Sequence, residues 1–307
     1  MKLKTLITAS VASLALFAGS PALADAHMEA AAATELPSGP EGPALWKVAD
    51  EDTTIYLFGT IHVLPADLEW YDAEIDAALM SADTIVTEVE MGPESDAKQQ
   101  QLAMQLGMAS DGTTLRSLLN DEQKATYEAA LAGLGAPPEA FDQFEPWLAS
   151  LTLAFIPLMQ QGYNLEAGVD KIIVGKAGDT AKEALETVEF QLGIFDGLSQ
   201  EAQVAYLMEA VENMGEVKTT VDRMVTEWAE GDPDGLADVM NEGVEDEPAL
   251  AEALLYARNR NWADWIENRL ETTPGTVFIA VGAGHLAGEK SVQDYLAERE
   301  IESERVQ

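Results

Sequence analysis

"TTIYLFGTIHVLP", Thr53 to Pro65, and "TVFIAVGAGHLAG", Thr276 to Gly288, decide how this chain folds. Each begins as a run of apolar and β-branched residues, the signature of a strand. Each run then meets a glycine with a histidine three places on, Gly59 with His62 and Gly282 with His285, in a chain that has only three histidines. Glycine at a strand end lets the backbone turn sharply or approach a ligand closely. In α/β sheets, ligands collect beyond the carboxyl ends of the strands. Two such turns on neighbouring strands would aim two imidazoles at one point.

Working outward, "LWKV" and "TTIYLF" read as a hairpin joined by the acidic turn "ADED". "WYDAEIDAALMSA", Trp70 to Ala82, spaces Ile75, Leu79 and Ala82 as a helix would. "DTIVTEVEM", Asp83 to Met91, reads as a third strand. From Pro93 to about Gly178 the pattern is helical, and Pro157 predicts a kink in the third run. "EALETV", Glu183 to Val188, is a short strand candidate. Helices then dominate until "TPG", Thr273 to Gly275, stops the last of them. "TVFIAVG" follows as a strand, "SVQDYLAERE" as a helix, and "IESERVQ" as an edge strand. The expected fold is mixed α/β (α+β): a central mixed sheet built from N- and C-terminal segments, flanked by helices, with a large helical insertion at about residues 93–182.

The start of the chain reads differently. Lys2 and Lys4 precede "LITASVASLALFAG", an apolar run short for a membrane span. Small-residue cleavage sites follow at Ala24 and Ala26. Residues 1–24 therefore read as a secretory signal peptide, and 25–43 as a flexible lead-in containing the third histidine, His27. The folded domain is expected over 44–307, periplasmic or secreted, with no stable membrane insertion after cleavage.

Composition narrows the chemistry. The chain has 307 residues, 47% of them hydrophobic, with six tryptophans, enough for a substantial core. It has no cysteine, which excludes disulfides, thiolate catalysis and cysteine-ligated clusters. The formal charge is −38, and removing Lys2 and Lys4 leaves 15 basic against 55 acidic residues, or −40. Such a surface repels phosphate backbones, so nucleic acid is not an expected partner.

Two imidazoles need a carboxylate to make a reactive site. Glu88 and Glu90 in "TIVTEVEM" fall on one face of a strand by alternation. Two histidines and a carboxylate form a common divalent-metal triad with open positions. Water on such a metal becomes a nucleophile near neutral pH. The spacing leaves Glu88 open as metal ligand or general base, and leaves both glutamates open as members of an exposed acidic strand. In "RNRNW", Arg258 could stabilise a developing oxyanion or form a helix salt bridge.

The order of "LWKVADEDTTIYLFGTIHVLP", "ADTIVTEVEM", "LEAGVDKIIVGKA", "ALETVEFQLGIFDGLS", "ARNRNWADWI" and "VFIAVGAGHLAG" resembles that of TraB/PrgY/GumN proteins, within the broad superfamily that holds the Tiki proteases. The resemblance runs from about Leu45 to the C-terminus. It implies a metal-dependent hydrolase, most of all a peptidase, using Gly59, His62, Glu88, Gly282 and His285 with Mn²⁺, Co²⁺ or Zn²⁺. Glu186 and Arg258 also match family positions. The expected partner is a peptide or other small substrate. The alternative expectation is a non-catalytic periplasmic protein that binds metal, haem or another small ligand for envelope or polysaccharide assembly.

Overall fold

The computed structural model describes residues 42–110, 112–244 and 248–307. The expected leader, its cleavage sites and His27 lie outside them, and of the expected lead-in only Gly42 and Pro43 lie within.

Two strands open the domain, β1 (Leu45–Ala49) and β2 (Thr53–Thr60). They pair antiparallel as expected, Leu45 opposite Phe58 and Ala49 opposite Thr54. The Asp50 side chain closes the turn by accepting from the Asp52 and Thr53 amides. After the short β3 (Leu64–Pro65), helix α1 (Ala73–Met80) begins at Asp72, whose side chain caps the amides of Glu74 and Ile75. Next comes β4 (Thr84–Thr87), then helices α2 (Pro93–Gly107), α3 (Asp121–Gly133) and α4 (Pro146–Gln160). Helix α4 runs through Pro157 and ends three residues later. β5 (Tyr163–Asn164) pairs with β3, and α5 (Val169–Lys176) leads to β6 (Ala181–Ala184).

Six more helices follow: α6 (Val188–Asp196), α7 (Gln200–Asn213), α8 (Val217–Ala229), α9 (Pro233–Val244), α10 (Pro248–Ala251) and α11 (Ala257–Thr272). A π-helical turn, Glu252–Tyr256, joins the last two. β7 (Gly275–Gly282), α12 (Val292–Ala297) and β8 (Glu304–Arg305) complete the chain.

The main sheet has six strands in the order β6–β4–β7–β2–β1–β8. β6, β4, β7 and β2 are mutually parallel, while β1 is antiparallel to both β2 and β8. The sheet is built from N- and C-terminal segments, as expected, and the C-terminal strand β7 lies between two N-terminal strands. Side-chain alternation divides two cores across the sheet. Ile55, Leu57, Val277, Ile279 and Val281 pack against Trp262 and Ile266 of α11. Phe58, Phe278 and Ala280 face the larger core with Trp70 and Trp228. Among the described residues no helix is long and apolar enough to cross a membrane.

Three strands differ from the sequence reading. β4 stops at Thr87, so Glu88 and Glu90 lie beyond it: Glu88 is buried and Glu90 exposed. Alternation therefore does not govern this pair. β6 lies at 181–184 rather than 183–188, because the Thr187 hydroxyl caps the Phe190 amide and starts α6. The C-terminal edge strand shrinks to two residues, paired with Trp46 and Lys47.

Candidate functional site

Parallel pairing puts the carboxyl ends of β6, β4, β7 and β2 along one edge of the sheet, and the site forms there. Glu88 is the first residue past β4. Its Oε1 accepts the Gly282 amide at 2.7 Å, and its Oε2 accepts Arg258 Nη2 at 2.6 Å and Gln191 Nε2 at 2.8 Å. Burial pushes the Glu88 pKa up. The Arg258 charge, aided by His285, His62 and the Gly282 amide, outweighs that and holds it at about 2. Glu88 is therefore ionised at neutral pH.

Arg258 comes from the first turn of α11, just after the π-helical turn. Arg258 and its neighbour Asn259 are both buried. Arg258 Nη1 donates to the Leu254 carbonyl at 2.9 Å and to His285 Nε2 at 3.1 Å. Its Nε donates to both Glu186 oxygens, at 2.9 and 3.1 Å. Burial disfavours the charged guanidinium, but Glu88 and Glu186 more than offset this and raise its pKa. The ion pair is a buried network rather than a surface bridge on a helix.

His285 sits in the 3₁₀ turn after β7 and is fully buried. Asn259 donates its Nδ2 to the Lys290 carbonyl, which turns Asn259 Oδ1 toward His285 Nδ1. That acceptor places the His285 proton on Nδ1, leaving Nε2 to accept from Arg258. Burial first, then the Arg258 charge, push the His285 pKa down to about 3, against the opposing pull of Glu88. Trp262 packs on the imidazole with ring centres 4.2 Å apart, and its indole N–H donates to Glu186 at 2.9 Å.

His62 has a different setting. It lies in the loop between β2 and β3, and its Nδ1 bonds to Asp170 Oδ2. Asp170 Oδ1 accepts the Thr60 hydroxyl at 2.7 Å. Asp170 belongs to the first turn of α5, where a carboxylate suits the helix N-terminus. The Val169 amide bonds to the Ile61 carbonyl at 2.9 Å, tying that helix start to the His62 loop. Gly168 makes the approach possible, since a Cβ there would lie 2.3 Å from the His62 carbonyl oxygen. Hydrogen bonding of Nδ1–H to Asp170 sets the His62 tautomer and the orientation of its ring. It lies within electrostatic range of both Glu88 and His285.

The two glycines serve the backbone. A Cβ on Gly59 would lie 3.0 Å from both Cα and Cβ of Ala283, so Gly59 admits the turn that carries His285. The Gly59 carbonyl accepts the Trp228 indole N–H at 2.8 Å. Gly282 contributes its amide to Glu88.

The structure thus gathers Gly59, His62, Glu88, Glu186, Arg258, Gly282 and His285 at one edge of the sheet, and leaves Glu90 outside the cluster. Sequence reading missed Thr60, Asp170, Gln191 and Asn259. Asp170 carried a faint signal, an acid two residues after Gly168 at a helix start, lost among 55 acidic residues.

As arranged, these residues do not fit a divalent metal. A neutral imidazole nitrogen has a single lone pair, and Arg258 fills that of His285 Nε2 while its charge engages Glu88 Oε2, so the expected triad lacks its His285 ligand. Among the described residues, no group of three histidine or carboxylate side chains is set to hold a metal. A cleft of about 340 Å³ adjoins the cluster, with Thr87, Gln99, Lys182, Glu186 and Val188 in its walls.

Strand-end turns of the Gly-x-x-His kind, closing over a buried Glu–Arg pair on a mixed α/β sheet, define the class of this protein. The chain belongs to the TraB/PrgY/gumN family, which matches residues 44–305. It is 21% identical over 247 residues to "Uncharacterized protein YbaP" of Escherichia coli K12, covering 78% of this chain and 87% of that one. The Shigella flexneri protein of the same description matches equally. No solved structure gives a significant match.

Proposed function

We propose that this protein is an exported hydrolase, with a peptide as the substrate class, in which His62 is the general base. The observation that carries the reading is the His62–Asp170–Thr60 chain. A buried carboxylate that accepts the Nδ1–H hydrogen bond fixes the tautomer and orients the ring, with Nε2 as the atom that accepts a proton from attacking water. Arg258 is the electrostatic partner. Its bonds to Glu186, Leu254, His285 and Glu88 use four of its five N–H groups, leaving one on Nη2 for a developing oxyanion. Glu88 and Glu186 hold the guanidinium in place. The cleft beside Glu186 offers room for a substrate side chain. Export rests on the sequence of residues 1–24, and the peptide class on the resemblance to Tiki-like proteases.

The test is hydrolysis of a peptide and ester panel by mature protein, His62→Ala and Asp170→Asn. Activity that survives both substitutions would remove His62 as the base. Absence of any hydrolysis, with a small molecule retained through purification, would favour a ligand-binding role in envelope assembly. The metal-dependent form of the reading, with His62, His285 and Glu88 as ligands to Mn²⁺, Co²⁺ or Zn²⁺, requires Arg258 to leave its present bonds. Activity abolished by chelation and restored by one of these ions would establish it.

A further inference from the structure

We infer that Arg258 is the resident cation of this site: its guanidinium occupies the donor set of Glu88, Glu186 and His285 that a divalent metal would otherwise use. The inference concerns the contents of the site and stands apart from whether the protein hydrolyses anything.

Three observations carry it. Arg258 bonds to a donor atom of each of the three residues, at 2.6 Å to Glu88, 2.9 Å to Glu186 and 3.1 Å to His285. All four side chains are at least nine-tenths buried, so in the intact site Arg258 rather than bulk water satisfies these groups. The donors are also of the metal-binding kind, two carboxylates and an imidazole whose tautomer, set by Asn259, turns a bare Nε2 inward. A neutral Nε2 presented to a cation is what a metal ligand offers; here an N–H takes it.

A consequence follows for the chain without the guanidinium. Arg258→Ala would leave two buried carboxylates beside an imidazole acceptor and a space where the guanidinium had been. A divalent ion of nitrogen and oxygen preference matches that set in charge and ligand type. The wild-type protein should therefore carry no metal here, and the variant should acquire one.

The experiment uses the mature chain without a histidine tag, as wild type, Arg258→Ala, Arg258→Ala/Glu88→Gln and His285→Gln. Each is stripped with chelator and titrated with Zn²⁺, Mn²⁺ and Co²⁺, reading bound metal by elemental analysis and stability by thermal melting. The expected result is no stoichiometric metal and no Tm shift in wild type. Arg258→Ala should melt several degrees lower when stripped, bind one equivalent and recover most of the loss, and the double variant should not respond. A folded Arg258→Ala that ignores all three ions would overturn the inference. So would one equivalent bound to wild type and lost in His285→Gln, a comparison that decides the matter even if Arg258→Ala does not fold.

Discussion

Thr60 of β2 is the register partner of Gly282 of β7, so the two Gly-x-x-His turns leave adjacent parallel strands one residue out of step. Identical local sequence frames therefore reach different surroundings. His62 enters a buried loop and meets a carboxylate, while His285 enters a 3₁₀ turn and meets an amide and a guanidinium. One imidazole is paired with an acid, and the other is held neutral.

Asp170→Asn should separate catalysis from folding. The amide keeps the size of the carboxylate but not its charge, so His62 loses the partner that stabilises its protonated form. Hydrolysis should fall by about 10²–10⁴-fold, the usual contribution of general acid–base catalysis, while the circular-dichroism spectrum stays native. Equal activity in the two proteins would remove Asp170 from the proposed mechanism.

Glu88→Ala should be among the most destabilising substitutions in the chain. It strands Arg258 in a buried site with half of its anionic partners gone, and breaking such a pair costs about 3–5 kcal/mol. Glu88→Gln keeps the size of the side chain and one acceptor oxygen, leaves no cavity, and should cost less. Denaturant unfolding of the two variants measures the difference; similar small losses would mean that water reaches the cluster.

Gly168→Ala and Gly284→Ala should part company. A Cβ at Gly168 meets the His62 carbonyl at 2.3 Å, and this backbone oxygen can move only with the loop. A Cβ at Gly284 meets the Met240 methyl group at 2.1 Å, the far end of a flexible side chain. Gly168→Ala should cost about 1–3 kcal/mol, as overpacking does, and reduce hydrolysis by displacing His62. Gly284→Ala should be nearly neutral. Unfolding and turnover measured together would refute this if the order were reversed.

Acid should weaken the fold through His285. Its pKa is about 3 in the fold against an ordinary 6.5. Between those values the unfolded chain takes up a proton that the folded chain refuses. The stability from neutral His285 is complete above pH 6.5 and drains as pH falls toward 3. Glu88, at about 2 against 4.5, acts in the same direction at lower pH. Stability followed from neutral pH into acid should decline from near pH 6.5 in wild type, and only below about 4.5 in His285→Gln. Parallel curves would assign the acid sensitivity to other groups.

Strands β2 and β7, with the glycines at their ends, were legible in the sequence because they are local. β2 and β7 are dense apolar runs closed by glycine, and a run of that kind has few conformations that bury it. The hairpin of β1 and β2 was legible for the same reason. Family segments marked Glu88, Glu186 and Arg258 as belonging with the two histidines. Tertiary structure alone decided what each of them does. Asp170 reaches His62 because α5 docks on the loop after β2, and Asn259 reaches His285 because α11 buries it together with Arg258 against the turn after β7. The sequence shows that two imidazoles and a carboxylate are present, but a lone pair counts as a ligand only if no nearer donor has taken it. That depends on where Arg258 falls in space, 170 residues along the chain from Glu88, which no local pattern encodes.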